Sequence, residues 1–231
     1  MGLYFKNYKN HKQNQHLDML LSSVKQNPRL FINIARVFDI VRDNEDTEYL
    51  ETIMSTQLNP SLLGLTSDEV SHLKDIIRNI YQHKKFSDLK GDFLEQVVGS
   101  FGPLQATTSN YFIEPEIYDD TVKIGETNSN CDIVFYESDE CPLEIIECKS
   151  NITNVIPANQ PFEYMKESHQ KKVRYMDSVR NHLVEKYKEP NIAFACYNQN
   201  FSIYKDTIQN KWGYKYIELI GPMDIIKSQV S

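Results

Sequence analysis

The sequence contains no run of eighteen or more apolar residues, so no segment is a candidate membrane-spanning helix. Its opening stretch, MGLYFKNYKNHKQNQ, has no apolar core of the kind a signal peptide needs, and the expected compartment is the cytoplasm. Cysteine is scarce: Cys131, Cys141, Cys148 and Cys196 are all there are, with no CxxC spacing. This argues against a disulfide framework or a zinc site and fits reduced, half-buried thiols beside strands. Neither a P-loop nor a GxGxxG pattern is present, which removes the usual phosphate-cradling glycine loops. The six histidines form no HxH or HExxH pair, so a histidine-based zinc hydrolase has no support.

An excess of positive charge is missing too. The formal net charge is −7, so the chain as a whole does not attract a polyanion at long range. The charge is unevenly spread. Residues 1–90 carry 12 basic and 11 acidic groups, residues 91–164 carry 2 and 14, and residues 165–231 carry 11 and 7. Neighbouring carboxylates about 4 Å apart repel by roughly 4 kcal/mol at an effective dielectric near 20, so an acidic middle calls for a cation or for raised pKa values. A divalent metal is the simplest relief, and solvated acidic loops account for part of the count.

What is present is enough apolar material, 40% of 231 residues, for one large or two small domains. Residues 1–86 are expected to be an all-helical region. Leu17, Leu20, Leu21 and Val24 keep helical spacing, as do Leu30, Ile34, Val37, Phe38 and Val41, with Pro28 ahead of the second stripe. A weaker helix covers Asp46 to Gln57. Thr66-Ser67-Asp68-Glu69 reads as a capping box opening a helix that buries Val70, Leu73, Ile77 and Ile80. No chemistry is evident there, and the region is assigned to partner binding or scaffold.

Residues 87–231 form the second region. A helix from Leu89 to Val98, capped by Ser87 or Asp88 and ending at Gly99, carries Glu95 on the flank of its apolar stripe, over Gly91. Residues 102–110 read as a loop, followed by a strand from Tyr111 to Tyr118 that Pro115 marks as bulged or at an edge. A long helix from Phe162 to Lys188 turns Val173, Met176, Val179, Leu183 and Tyr187 toward a sheet. Strands follow at Asn191 to Tyr197 and Tyr214 to Ile220, before a Gly221-Pro222 break and a short tail.

The chemistry concentrates in residues 130–150, NCDIVFYESDECPLEIIECKS. Two β-rich runs flank a turn at residues 137–142, which predicts a hairpin. Asp132 opens the first strand, while Glu147 and Lys149 close the second and share a face by period two. An antiparallel pair sets the start of one strand beside the end of the other, so Asp132 comes near both. Two carboxylates suit Mg²⁺, which takes one or two carboxylates together with waters and substrate phosphate. A lysine beside them orients a water, or takes its proton if desolvation lowers the ammonium pKa. Glu-x-Lys in a strand is equally a same-face salt bridge.

The joint pattern of Asp132, a turn, and apolar-apolar-Glu147-Cys148-Lys149 resembles the active-site motif of the PD-(D/E)XK nuclease superfamily, which includes many restriction and recombination nucleases. Cys131 stands where the family's motif has proline. Helix, strand, hairpin, helix, strand, strand over residues 88–220 is similar to the order of the family core. The resemblance implies a restriction endonuclease-like α/β core with a mixed central sheet flanked by helices, and Mg²⁺ (or Mn²⁺) held by Asp132, Glu147 and the Cys148 backbone carbonyl. It also implies Lys149 positioning the attacking water and Glu95 holding the metal's hydration shell. Gln170, one turn before Val173 and so directed at the sheet, matches part of a Gln-x-x-x-Tyr element found in one branch of the family, although Tyr175 is one residue too far.

The expected activity is metal-dependent hydrolysis of phosphodiesters, of DNA rather than RNA by family analogy, as a restriction or anti-phage effector. The alternative is a non-catalytic nuclease-fold module that assembles with a protein partner. Seven Lys or Arg against three acidic residues over 165–188 give a local +4, and Lys166, Lys171, Lys172 and Arg174 are expected to follow a phosphate backbone. An overall acidic chain with one basic helix is further expected to act on nucleic acid as a homodimer or as a subunit of a larger complex.

Overall fold

The computed structural model describes residues 2–105, 110–125 and 129–230, so residues 106–109 of the expected loop lie outside the described residues. The chain is α/β, with a three-stranded and a five-stranded sheet. It opens, against expectation, with a strand, β1 (Leu3–Lys6). Leu3 joins the core while Phe5 stacks on Phe112 with ring centroids 4.5 Å apart. This alternation outweighs the polar character of the segment. The helical region then follows as α1 (Gln15–Gln26), α2 (Leu30–Ile40), α3 (Thr47–Gln57), α4 (Pro60–Leu63) and α5 (Ser67–Gln82). The capping box forms: Thr66 Oγ1 accepts from the Glu69 N–H at 3.3 Å, and the Glu69 carboxylate accepts from the Thr66 N–H at 2.7 Å.

Helix α6 (Phe86–Phe101) runs past Gly99, which was expected to end it. Gly99 is needed for space instead: a Cβ there would lie 2.8 Å from the Tyr111 ring. The helix stops at Gly102, where φ reaches +88°. At its other end the N-cap is Lys85, with no side-chain cap, so neither Ser87 nor Asp88 caps it.

The expected strand from Tyr111 to Tyr118 is two strands in different sheets, β2 (Tyr111–Ile113) and β3 (Glu116–Asp119). The chain switches sheets at Glu114-Pro115, where Glu114 takes φ +46°. Strand β4 (Val122–Lys123) completes the small sheet in the order β1-β3-β4. The main sheet adds β5 (Ile133–Phe135), β6 (Glu144–Lys149), then α7 (Glu167–Lys186), β7 (Asn191–Cys196), α8 (Ser202–Asp206) and β8 (Ile217–Ile220). Its order is β2-β5-β6-β7-β8, with β2-β5 and β5-β6 antiparallel and β6-β7 and β7-β8 parallel. Helix α7 begins only after a separate turn at Phe162–Tyr164, because Met165 is extended and buried in the core. The final segment is not a plain tail: α9 (Pro222–Ile225) and α10 (Lys227–Val230) follow, and Ile225 and Ile226 are buried.

Alternation along the strands gives the main sheet two apolar faces. Ile133, Phe135, Ile146, Ala193 and Ala195 pack against α1, α2, α5 and α6 in one continuous core, so the boundary at 86/87 does not separate two cores. Val134, Ile145, Ile192 and Phe194 pack against Val173, Tyr175, Met176, Val179 and Leu183 of α7. Among the described residues no helix is long and apolar enough to cross a membrane. All four cysteines are free.

The first core takes in a charged side chain. Lys90 is 5% exposed; its ammonium donates to the Val41 carbonyl at 3.0 Å and faces the rings of Phe38, Tyr81 and Phe86. Burial pushes its pKa down to about 8, with the Asp39 charge opposing. The unfolded chain, with a lysine near 10.4, therefore binds this proton more readily. Stability should rise with pH between about 8 and 10, and the cost of the buried charge is fully present below that window. The rings favour the ammonium and narrow the effect. Lys90→Met leaves the Val41 carbonyl accepting from Tyr81 Oη at 2.7 Å. It is expected to stabilise the protein at pH 7 by about 2 kcal/mol, and by much less at pH 10, in urea unfolding of the two forms.

Candidate active site

The register of the β5–β6 hairpin decides which side chains meet. Ile133 pairs with Ile146, so the next position outward sets Asp132 beside Glu147. Glu147 lies on the same face as Ile145, toward α7, and has no solvent exposure; Asp132 is 9% exposed. Asp132 Oδ2 accepts from the Cys148 N–H at 2.7 Å, which fixes the carboxylate against the end of β6. Lys149 curls back: its Nζ lies 2.5 Å from Glu147 Oε1, 2.9 Å from the Cys148 carbonyl oxygen and 3.5 Å from Asp132 Oδ2. The expected convergence of Asp132, Glu147, Lys149 and the Cys148 carbonyl is what the geometry contains.

Lys172 enters the same cluster from α7. Its Nζ is 3.0 Å from Glu147 Oε2 and 3.7 Å from Asp132 Oδ1, and it donates to the Asn130 carbonyl. Lys172 is therefore turned inward and is not one of the outward cations expected along a phosphate backbone. The helix phase explains this, since residues 172, 176, 179 and 183 share the stripe whose last three members are buried Met, Val and Leu. A lysine on an apolar stripe was the signal for it in the sequence. One turn earlier on that stripe is His169, whose Nδ1 is buried and has no partner among the described residues.

Lys166, Lys171 and Arg174 do face solvent. Lys171 pairs with Glu167 at 2.9 Å, and the Arg174 guanidinium lies over the Phe162 ring at 5.6 Å. Gln170 is not brought to the cluster. Its amide donates to the carbonyls of Met165 at 2.8 Å and Glu163 at 3.3 Å, so it ties the preceding turn to the helix. The unmet backbone carbonyls of that turn are nearer to it than the sheet end is.

The electrostatics follow from burial. Desolvation raises the Glu147 pKa, Asp132 adds to the rise, and Lys149 and Lys172 oppose it. For both lysines burial alone would lower the pKa, but the facing carboxylates outweigh it and the net shift is upward. With both carboxylates charged, the Lys149 ammonium is favoured over the base that desolvation alone would produce. Glu95, on α6, is pushed up to about 8, first by burial and then by the charges of Asp132, Asp92 and Glu114. It is close enough to feel the site, and no ion pair joins it to the cluster among the described residues. Burial pushes the Cys131 and Cys148 thiols well up, which makes them inert packing groups.

Among the described residues no group of three or more His, Cys, Asp or Glu is arranged to hold a metal ion. The donors nonetheless fit a hard dication. Two carboxylates and a carbonyl oxygen are the ligand type Mg²⁺ uses, with water and phosphate completing its shell. Burial is the first cause of the raised Glu147 and Glu95 pKa values and the Asp132 charge the second, and a dication would relieve that second part. No protein-family model, no curated protein and no solved structure matches the chain, and the site's chemistry rests on its own geometry.

Proposed function

We propose that the chain is a divalent-metal-dependent nuclease that hydrolyses phosphodiester bonds, of DNA in preference to RNA, with a restriction or anti-phage role. The observation that carries this reading is the meeting of Asp132, Glu147, Lys149 and the Cys148 carbonyl at one end of a mixed sheet, between α6 and α7. The element order α6, β2, β5–β6, α7, β7 supports the restriction endonuclease-like core that the motif implies. Asp132, Glu147 and the Cys148 carbonyl would hold Mg²⁺ or Mn²⁺, with Glu95 toward its waters. A cation there supplies neutralisation of phosphate charge and a more acidic water. Lys149, held as an ammonium, orients the attacking water and stabilises the negative charge that develops on the phosphate. The buried position of Glu147 excludes bulk water and strengthens each of these interactions.

Lys166, Lys171 and Arg174 form the outward basic face that would follow the backbone, and a second copy or a partner subunit would extend it. Lys171→Glu with Arg174→Glu is expected to weaken DNA binding and flatten its salt dependence by about two counterions, measured as affinity against salt concentration, with metal affinity unchanged.

One observation favours the non-catalytic reading. The two carboxylates and two ammoniums balance each other without any metal ion, as a purely structural quartet would. Calorimetric titration with Mn²⁺ separates the readings. The nuclease should bind Mn²⁺, and Asp132→Ala should lose that binding; a wild type that takes up none would leave the assembly module as the surviving account.

A further inference from the structure

Lys172 lies outside the Glu-x-Lys pattern, yet it is as deeply engaged as Lys149. The two lysines divide the carboxylate oxygens between them: Lys149 faces Glu147 Oε1 and Asp132 Oδ2, and Lys172 faces Glu147 Oε2 and Asp132 Oδ1. Asp132 Oδ2 also accepts from the Cys148 N–H, which leaves Oδ1 as its less engaged oxygen. A dication bound between the two carboxylates therefore competes with Lys172 for the same atoms. The two lysines differ in their freedom to yield. Lys149 sits on a paired strand beside the carbonyl of its own neighbour Cys148, whereas Lys172 reaches in from a separate element, α7, and has the Asn130 carbonyl to hold it once the carboxylates are given up. Beside it the buried Nδ1 of His169 has no partner among the described residues.

We infer that Lys172 is a second lysine of the site. It holds the cation's carboxylate oxygens in the metal-free protein, yields them when a divalent cation binds, and then joins His169 in donating to a phosphate oxygen of the substrate. The exchange rests on the ion cluster and the metal site; the final step rests on the nuclease reading. A metal-free site is in this way kept neutral, and the cation's arrival frees a cation for the substrate at the point where it is needed.

Lysine acylation with acetic anhydride, read residue by residue by mass spectrometry on the wild-type protein, tests the exchange. Without metal Lys172 should be protected relative to the exposed Lys171; with saturating Mn²⁺ it should become about as reactive as Lys171. Lys172→Met, which removes the competitor, should bind Mn²⁺ about tenfold more tightly in calorimetry, the scale of one close charge removed at intermediate dielectric. At saturating Mn²⁺ it should cleave more slowly than the wild type. Lys172 still protected with Mn²⁺ bound, or Lys172→Met binding Mn²⁺ no more tightly, overturns the inference. The acylation result decides if Lys172→Met does not fold. A wild type that binds no Mn²⁺ at all defeats the proposed function and this inference together, whereas one that binds Mn²⁺ with Lys172 protected defeats this inference alone.

Discussion

Lys149→Met is expected to slow phosphodiester cleavage by about a thousandfold at saturating Mg²⁺ while the protein remains folded. Removing one preorganised donor from a site where negative charge develops costs about 10² to 10³ in rate. Lys149 is held in place by Glu147 at 2.5 Å and by the Cys148 carbonyl at 2.9 Å. The fold should survive because Glu147 keeps Lys172 at 3.0 Å as a counter-charge. Single-turnover cleavage of labelled DNA, with circular dichroism on the same samples, makes the comparison. A variant that cleaves at the wild-type rate would remove Lys149 from the chemistry.

Glu147→Ala should have the larger effect on stability, a loss of about 4 kcal/mol. Breaking a buried pair by removing one partner costs about 3–5 kcal/mol, because the surviving charge stays buried without compensation. Here the loss leaves two ammoniums at once, Lys149 and Lys172, with the Asp132 carboxylate at 3.5 and 3.7 Å and the Cys148 and Asn130 carbonyls to answer them. Urea unfolding gives the value, and an unchanged midpoint would mean that water or rotation of the lysines relieves the site. Glu147→Gln keeps the shape and hydrogen-bond acceptor and should lose less.

The hairpin and the meeting of Asp132, Glu147 and Lys149 were legible in the sequence because each depended on local rules. Period-two alternation put Glu147 and Lys149 on one face, and antiparallel pairing brought Asp132 to them without a long-range assumption. The helical stripes of α1, α2 and α5 and the Thr66 capping box were equally local. What escaped was set by contacts distant in sequence. Leu3 to Lys6 became a strand because β3 offered it an edge, and Tyr111 to Tyr118 split because its two halves joined different sheets. Charge type alone assigns Lys172 to the surface although its phase places it on the buried stripe; phase prevails because Glu147 supplies the counter-charge. Gln170 was directed toward the sheet by phase alone, and nearby free carbonyls of residues 163 and 165 claimed its amide instead.

The most direct test is a panel of linear, circular and single-stranded DNA and of RNA incubated with Mg²⁺ or Mn²⁺ and either the wild-type protein or Asp132→Asn. The account predicts cleavage of at least one DNA substrate by the wild type, abolished by chelation and by Asp132→Asn. Every substrate left intact by the wild type, or cleavage that persists without metal or without the Asp132 carboxylate, would contradict it.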